Sequence, residues 1–179
     1  MTIAATLALL VTTLTPDAAL RPVTPVASVD LTRYAGRWYE IARYPNWFQK
    51  KCAREVTAEY VLGADSRITV INQCRTTSGE MTKAQGVARL ATPGGPSSKL
   101  KVRFAPAFLS FVGAVWGDYW VLGLSSDYSY AVVGDPSREY LWVLSRTPTL
   151  DEASWQKVYE VMDANGFDRA RLVQTVQTP

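Results

Sequence analysis

Apolar and polar residues alternate along most of this chain with the period of two that marks a strand buried on one face. In Val56-Thr57-Ala58-Glu59-Tyr60 the even positions are apolar and the odd ones polar, and Lys99 to Phe104 repeat the pattern with three cations set against Leu100, Val102 and Phe104. Runs of this kind predict strands over 38–44, 55–62, 67–75, 81–91, 98–104, 117–125, 128–134 and 139–146. Eight strands joined mostly by short, turn-rich links predict an all-β fold, an antiparallel up-and-down barrel that closes on itself. Asp30 to Tyr34 reads as a helical turn beneath it. After the last strand the period changes: Trp155, Val158, Tyr159 and Met162 recur at helical spacing, which predicts one α-helix laid against the outside of the barrel. Thr149-Leu150-Asp151-Glu152 fits a capping box at its start and Asn165-Gly166 a stop at its end, and residues 170–176 can add a ninth strand.

Parity assigns the faces. The even set points inward, so Ala58, Tyr60, Val70, Asn72, Ala84, Gly86, Ala88, Leu100, Val102 and Phe104 line a cup, continued by Tyr119 and Val121 in the sixth strand. Small residues at 84, 86 and 88 leave room for a cavity, although small wall residues also serve strand packing. In the last strand both parities are apolar and the pattern alone leaves its inward face open. Alternating strands bring the links at 45–54, 76–80, 105–116 and 135–138 to one end, the mouth. Trp47 and Phe48 in the first link, and Phe108, Phe111 and Trp116 in the third, are unusually apolar for solvent-facing loops, which implies a partner. Three readings stay open there: a lid over a ligand, a rim that dips into a membrane, and a contact between two copies of the chain.

At 179 residues the chain suits one domain, over 28–177, behind a segment at 1–27. Residues 2–14 form an apolar run too short to span a bilayer as a helix and resemble the core of a signal peptide, followed by a linker with prolines at 22 and 25. A net charge of +3 with its cations scattered argues against nucleic acid as a partner. The absence of histidine removes Ser-His-Asp and Cys-His catalysis and histidine-ligated metals or haem, so neither an enzyme nor a cofactor is expected. Cys52 and Cys74 are the whole cysteine complement. A hairpin centred on Gly63 sets them directly opposite one another near the mouth, and an extracytoplasmic setting favours a disulfide over two free thiols.

Three short segments carry a family resemblance. Gly36-Arg37-Trp38, Ser126-Asp127-Tyr128 and Leu144-Ser145-Arg146, in that order and spacing, resemble the lipocalin signature. Arg37 to Tyr44 and Tyr140 to Pro148 are similar to the bacterial outer-membrane lipocalins and, more distantly, to apolipoprotein D. The resemblance implies that Trp38 plugs the closed end of the barrel with Arg146 across its indole; Gly36 lets the chain turn tightly into the strand, where a side chain would crowd the indole. The resemblance implies further that Tyr140, Trp142 and Leu144 face inward. The ligand so implied is a fatty acid, a lysophospholipid or another small lipid carried in the cell envelope, with Arg43, Lys50, Lys51 and Arg54 as candidate partners for a head group. The rival reading is a non-catalytic envelope protein whose apolar mouth binds another polypeptide. Ser126 where many members have Thr, the long 105–116 link, and the lack of a cysteine before Cys52 to carry a lipid anchor are departures from the pattern.

Overall fold

The computed structural model describes residues 21–63, 67–106 and 113–178; the signal-like run and half of the third mouth link, with Phe108 and Phe111, lie outside the described residues. A short helix, α1 (Leu31–Tyr34), opens the domain, capped by Asp30, whose carboxylate accepts from the Thr32 and Arg33 amides. Eight strands follow: β1 (Gly36–Arg43), β2 (Cys52–Leu62), β3 (Ile68–Thr76), β4 (Met81–Leu90), β5 (Lys99–Arg103), β6 (Gly117–Leu124), β7 (Tyr130–Gly134) and β8 (Leu141–Ser145). Each pairs antiparallel with the next, and β1 pairs with both β2 and β8, so the sheet closes into the predicted barrel. The helix α2 (Glu152–Ala164) lies outside, and a two-residue β9 (Val173–Gln174) joins β1 near the mouth, shorter than the ninth strand expected over 170–176.

The wall carries a core on each side. Trp38, Tyr60, Val70, Ala88, Leu100, Val121, Val133 and Leu144 pack together inside the barrel. Ala42, Tyr44, Leu122, Val132, Leu141 and Val143 pack outside it, under Val158 and Met162 of α2. This settles β8: Leu141 and Val143 face the helix, Trp142 and Leu144 the lumen. A bulge between Glu40 and Ala42 turns the end of β1, which takes Ala42 and Tyr44 to the helix side although Trp38 points inward. Gly123 is where the helix comes closest, since a Cβ there would stand 2.7 Å from Val161 Cγ2.

Three expectations need correction. The helix is capped by Asp151, which accepts from the Ser154 amide at 2.8 Å, and not by Thr149, because an aspartate standing directly before the first turn reaches that donor. The linker is extended as expected and docked on the barrel: Val26 N donates to Val121 O, Thr24 N donates to Asn165 Oδ1, and Val23 is buried under the helix side of the wall. The first reversal lies between Gly63 and Arg67 instead of centring on Gly63, and with two irregularities in β2 between Cys52 and Thr57 this leaves Cys52 opposite Thr76, while Cys74 faces Thr82 of β4. The disulfide nevertheless forms, diagonally, across 5.5 Å between Cα atoms. Its closed loop contributes about 3 kcal/mol in the loop-entropy account. Finally Arg103, expected on the solvent face, is buried: its guanidinium donates to the carbonyls of Ala105 and Pro106 where the chain leaves β5.

Candidate functional site

The floor of the lumen is sealed by Trp38. Its side chain has no exposure, its Nε1 donates to Tyr34 O at 2.8 Å, and the Arg146 guanidinium carbon lies 3.8 Å from its ring centroid. Arg146 also donates to the carbonyls of Arg33, Tyr34, Ala35 and Arg37, fastening α1 to the end of β8. Gly36 is required for a different reason than crowding. A Cβ there would meet Arg146 Nη1 at an ordinary 3.5 Å, but the backbone turns at φ +91°, a conformation only glycine adopts without strain. The β6–β7 turn completes this end: Asp127 accepts from the amide and hydroxyl of Ser129, the Ser125 and Ser129 hydroxyls hold its carboxyl down to about 2, and Tyr128 Oη accepts from Asp30 N.

Above the floor, Tyr34, Tyr60 and Tyr119 bring their hydroxyls together, Tyr119 standing 2.7 Å from each of the other two. Burial raises the pKa of all three, so they remain neutral. Val70, Ala88, Leu100 and Val121 are fully packed at this level. Ala58, Asn72, Val102, Tyr119 and Trp142 also face inward yet stay only half-buried, and Ala84, opposite Asn72 and nearer the mouth, is exposed. The Asn72 carbonyl oxygen is buried without a hydrogen-bond partner. Gly86 does not leave the wall open, because a Cβ there would run into the Phe104 ring at 2.8 Å and Arg103 O at 2.6 Å; the ring occupies the room the glycine frees.

The mouth is aromatic on one side and polar on its inner wall. Phe48 packs on Tyr140 and Trp142, which stack on each other with centroids 5.9 Å apart, while Trp47 beside them is 72% exposed. Trp142 Nε1 donates to Gln49 Oε1, Gln49 Nε2 donates to Glu40, and Glu40 also accepts from Arg43 and Thr175. Glu40 is almost wholly buried, and that burial raises its pKa above 4.5 against the pull of Thr175, Arg43 and Gln49. Arg43 is therefore committed, Lys51 donates to Thr82 Oγ1, and Arg54 lies 3.4 Å from Glu55, whereas Lys50 is exposed.

Trp116 does not belong to the mouth. Arg89 stacks on its ring at 4.0 Å and Arg103 at 5.2 Å, both on odd positions, so the indole covers the outer face of β4 and β5. Two arginines one diagonal apart on that face offer a better seat than water. A separate depression of about 400 Å³ on the outer wall is lined by Arg37, Tyr39, Thr57, Gln73, Arg75 and Gln177, opposite the lumen and largely polar. Sequence reasoning missed Tyr34, Glu40 and Gln49. Glu40 carried a signal, standing two residues after the inward Trp38; the other two sit in non-strand segments, where parity says nothing. No cluster of three or more His, Cys, Asp or Glu placed to hold a metal occurs among the described residues.

Comparison with known proteins places this architecture. The family model described as a lipocalin-like domain matches residues 29–177. Temperature-induced lipocalin-1 of Arabidopsis thaliana is 40% identical over 154 residues, 86% of this chain and 82% of that protein. Outer membrane lipoprotein Blc of Escherichia coli (strain K12) is 37% identical over 176 residues, 97% of this chain and 94% of that protein. Among solved structures, the cockroach allergen Per a 4 superposes with a TM-score of 0.67 at 21% identity, over 90% of this chain and 97% of that one.

Proposed function

This chain belongs to the lipocalin family, and from that premise we propose that it binds and carries a fatty acid or lysophospholipid in the bacterial cell envelope. Lipocalins bind small hydrophobic ligands and are in general not enzymes. The observation that carries the reading is the gradient inside the barrel: a floor with no exposure at Trp38, then inward residues that stay half-buried at Ala58, Val102 and Trp142, then a rim with Phe48 and Trp47 open to solvent. Such a gradient suits a molecule inserted from the mouth. Burying a dozen methylenes at about 0.8 kcal/mol each supplies about 10 kcal/mol, against association costs of several kcal/mol. The surplus of about 5 to 7 kcal/mol corresponds to a Kd of about 10 to 200 μM. The envelope setting is supported by similarity to proteins named as outer membrane lipoproteins and by the disulfide.

Titration with the fluorescent fatty acid cis-parinaric acid tests the lumen. Ala88 is already fully packed, so a blocking residue belongs at half-buried Ala58, beside Trp38 in the register: Ala58→Trp is expected to weaken binding at least tenfold, and equal affinity would remove this part of the lumen from the site. The second reading, a rim that grips another polypeptide, draws on the exposure of Trp47 and Phe48. Native mass spectrometry of protein taken from its own envelope separates the two, since a retained lipid is weighed directly and a bound polypeptide is heavier by kilodaltons.

A further inference from the structure

The tyrosine cluster above the floor holds one more proton than its own contacts use. Three phenol hydroxyls are joined by two hydrogen bonds, Tyr34 with Tyr119 and Tyr60 with Tyr119. Each hydroxyl has one proton to donate. However the bonds are oriented, two protons are engaged and the third has no acceptor among the described residues. Tyr119 retains accessible surface while facing inward, and the buried Tyr34 and Tyr60 stand on either side of its hydroxyl. Asn72 supplies the matching feature. In the register of β2 and β3, Tyr60 stands opposite Val70 and Ala58 opposite Asn72, so the amide sits one inward step nearer the mouth, about 7 Å along the strand. Its buried carbonyl oxygen lacks a donor, and the side chains beside it on the neighbouring strands are the two alanines Ala58 and Ala84.

We propose that Tyr34, Tyr60 and Tyr119 together with Asn72 form a polar subsite that takes an uncharged hydroxyl at the inner end of a hydrophobic ligand. This rests on the ligand-carrier reading above and adds to it a ligand class and an orientation: the polar end enters first. A hydroxyl can accept the spare phenol proton and can donate to the Asn72 carbonyl. An ionised carboxylate cannot donate, and among the described residues it would meet no free cation at this depth. The guanidinium at the floor, that of Arg146, lies against the Trp38 ring and is spent on four carbonyls. The phenols stay neutral there and cannot balance a charge. The candidate cations for an acid head group all lie at the mouth, so fatty acids and fatty alcohols are bound in opposite senses.

The test displaces bound cis-parinaric acid with 1-dodecanol and with dodecane, and reads the ratio of their affinities in each variant of the full chain. Removing all three hydroxyls in Tyr34→Phe/Tyr60→Phe/Tyr119→Phe is expected to shift that ratio about tenfold against the alcohol, the effect of one lost hydrogen bond. Asn72→Leu should shift it in the same direction. Tyr119→Phe alone frees the protons of Tyr34 and Tyr60, so the preference survives, an outcome that a general loss of polarity would not give. Should the triple variant fail to fold, the wild type decides: the NMR signal of carbon-13 at C1 of bound 1-dodecanol is expected to escape broadening by a water-soluble paramagnetic reagent. A broadened signal, or a ratio unchanged in both the triple variant and Asn72→Leu, overturns the subsite while cis-parinaric acid still binds and the carrier reading stands. If neither cis-parinaric acid nor 1-dodecanol binds the wild type, the carrier reading falls and the subsite with it.

Discussion

The two ends of the barrel use the same residue types, tryptophan and arginine, to opposite effect. At the closed end the Trp38 indole is buried, its one donor is bound, and Arg146 covers its face while donating to four backbone carbonyls. At the open end Trp47 lies mostly in solvent against the edge of Phe48, and Arg43 is tied to Glu40 instead of stacking on a ring. An aromatic side chain with every polar atom satisfied and every face covered acts as a rivet. One left uncovered is available surface. Stability therefore concentrates at the floor, and the rim is left free to meet ligands.

The largest expected effect sits on that contrast. Trp38→Ala is expected to cost about 3 to 5 kcal/mol, the usual penalty for emptying a buried aromatic site, while Trp47→Ala changes stability by less than about 0.5 kcal/mol. Denaturant unfolding of the two variants measures both, and comparable losses would erase the distinction between the ends. Next in size is the coupling between Trp38 and Arg146. A guanidinium 3.8 Å above an indole predicts an interaction energy of about 0.5 to 2 kcal/mol in a double-mutant cycle of Trp38→Phe and Arg146→Ala. Additive effects would mean that Arg146 serves the carbonyls alone.

The smallest effect belongs to the rim and appears as a pH dependence. Burial raises the folded pKa of Glu40 above 4.5, so the fold prefers its protonated form. The stability this group contributes is fully present below pH 4.5 and is lost as pH rises through the raised value. Glu40→Gln is expected to flatten the stability profile over that interval. An unchanged slope would show that Arg43, Thr175 and Gln49 fully compensate the burial.

How far these features could be read in advance follows from what periodicity encodes. The period-two runs of β2, β3 and β5 report a wall with one wet face, and there the inward set Ala58, Tyr60, Val70, Leu100 and Val102 stands where parity puts it. In β8 the signal vanished because α2 dries the outer face too, so Leu141 and Trp142 are both apolar for different neighbours. Bulges defeat parity outright. The register in which Ala58 faces Asn72 would carry Cys52 past its expected partner to Ser78; the irregular pairing between Cys52 and Thr57, where Glu55 takes a positive φ, brings it back to Thr76, and nothing local in the sequence marks it. Trp116 and Arg103 were misplaced because the Trp116 indole lies against arginines on the outer face of β4 and β5 and the Arg103 guanidinium turns back onto the Ala105 and Pro106 carbonyls, contacts that no period encodes. The polar contacts of the site, from Tyr34 to Gln49, join residues on separate elements and emerge only once the ring is formed.

The closure of β1 onto β8 has a kinetic side. Neighbouring strands from β1 to β8 are joined by links of at most thirteen residues, and the Cys52–Cys74 bond links adjacent strands, so these ladders can form as soon as their residues exist. The seam where Tyr39 meets Ser145 cannot: it joins opposite ends of the domain and has to bear the loop-closure entropy of nearly the whole barrel. Until it forms, the molecule is an open sheet with the outer edges of β1 and β8 unpaired and both of its cores half built. Unpaired edges recruit other chains. Aggregation risk in this protein is thus a property of the time before the ring closes, since the finished barrel pairs that seam away.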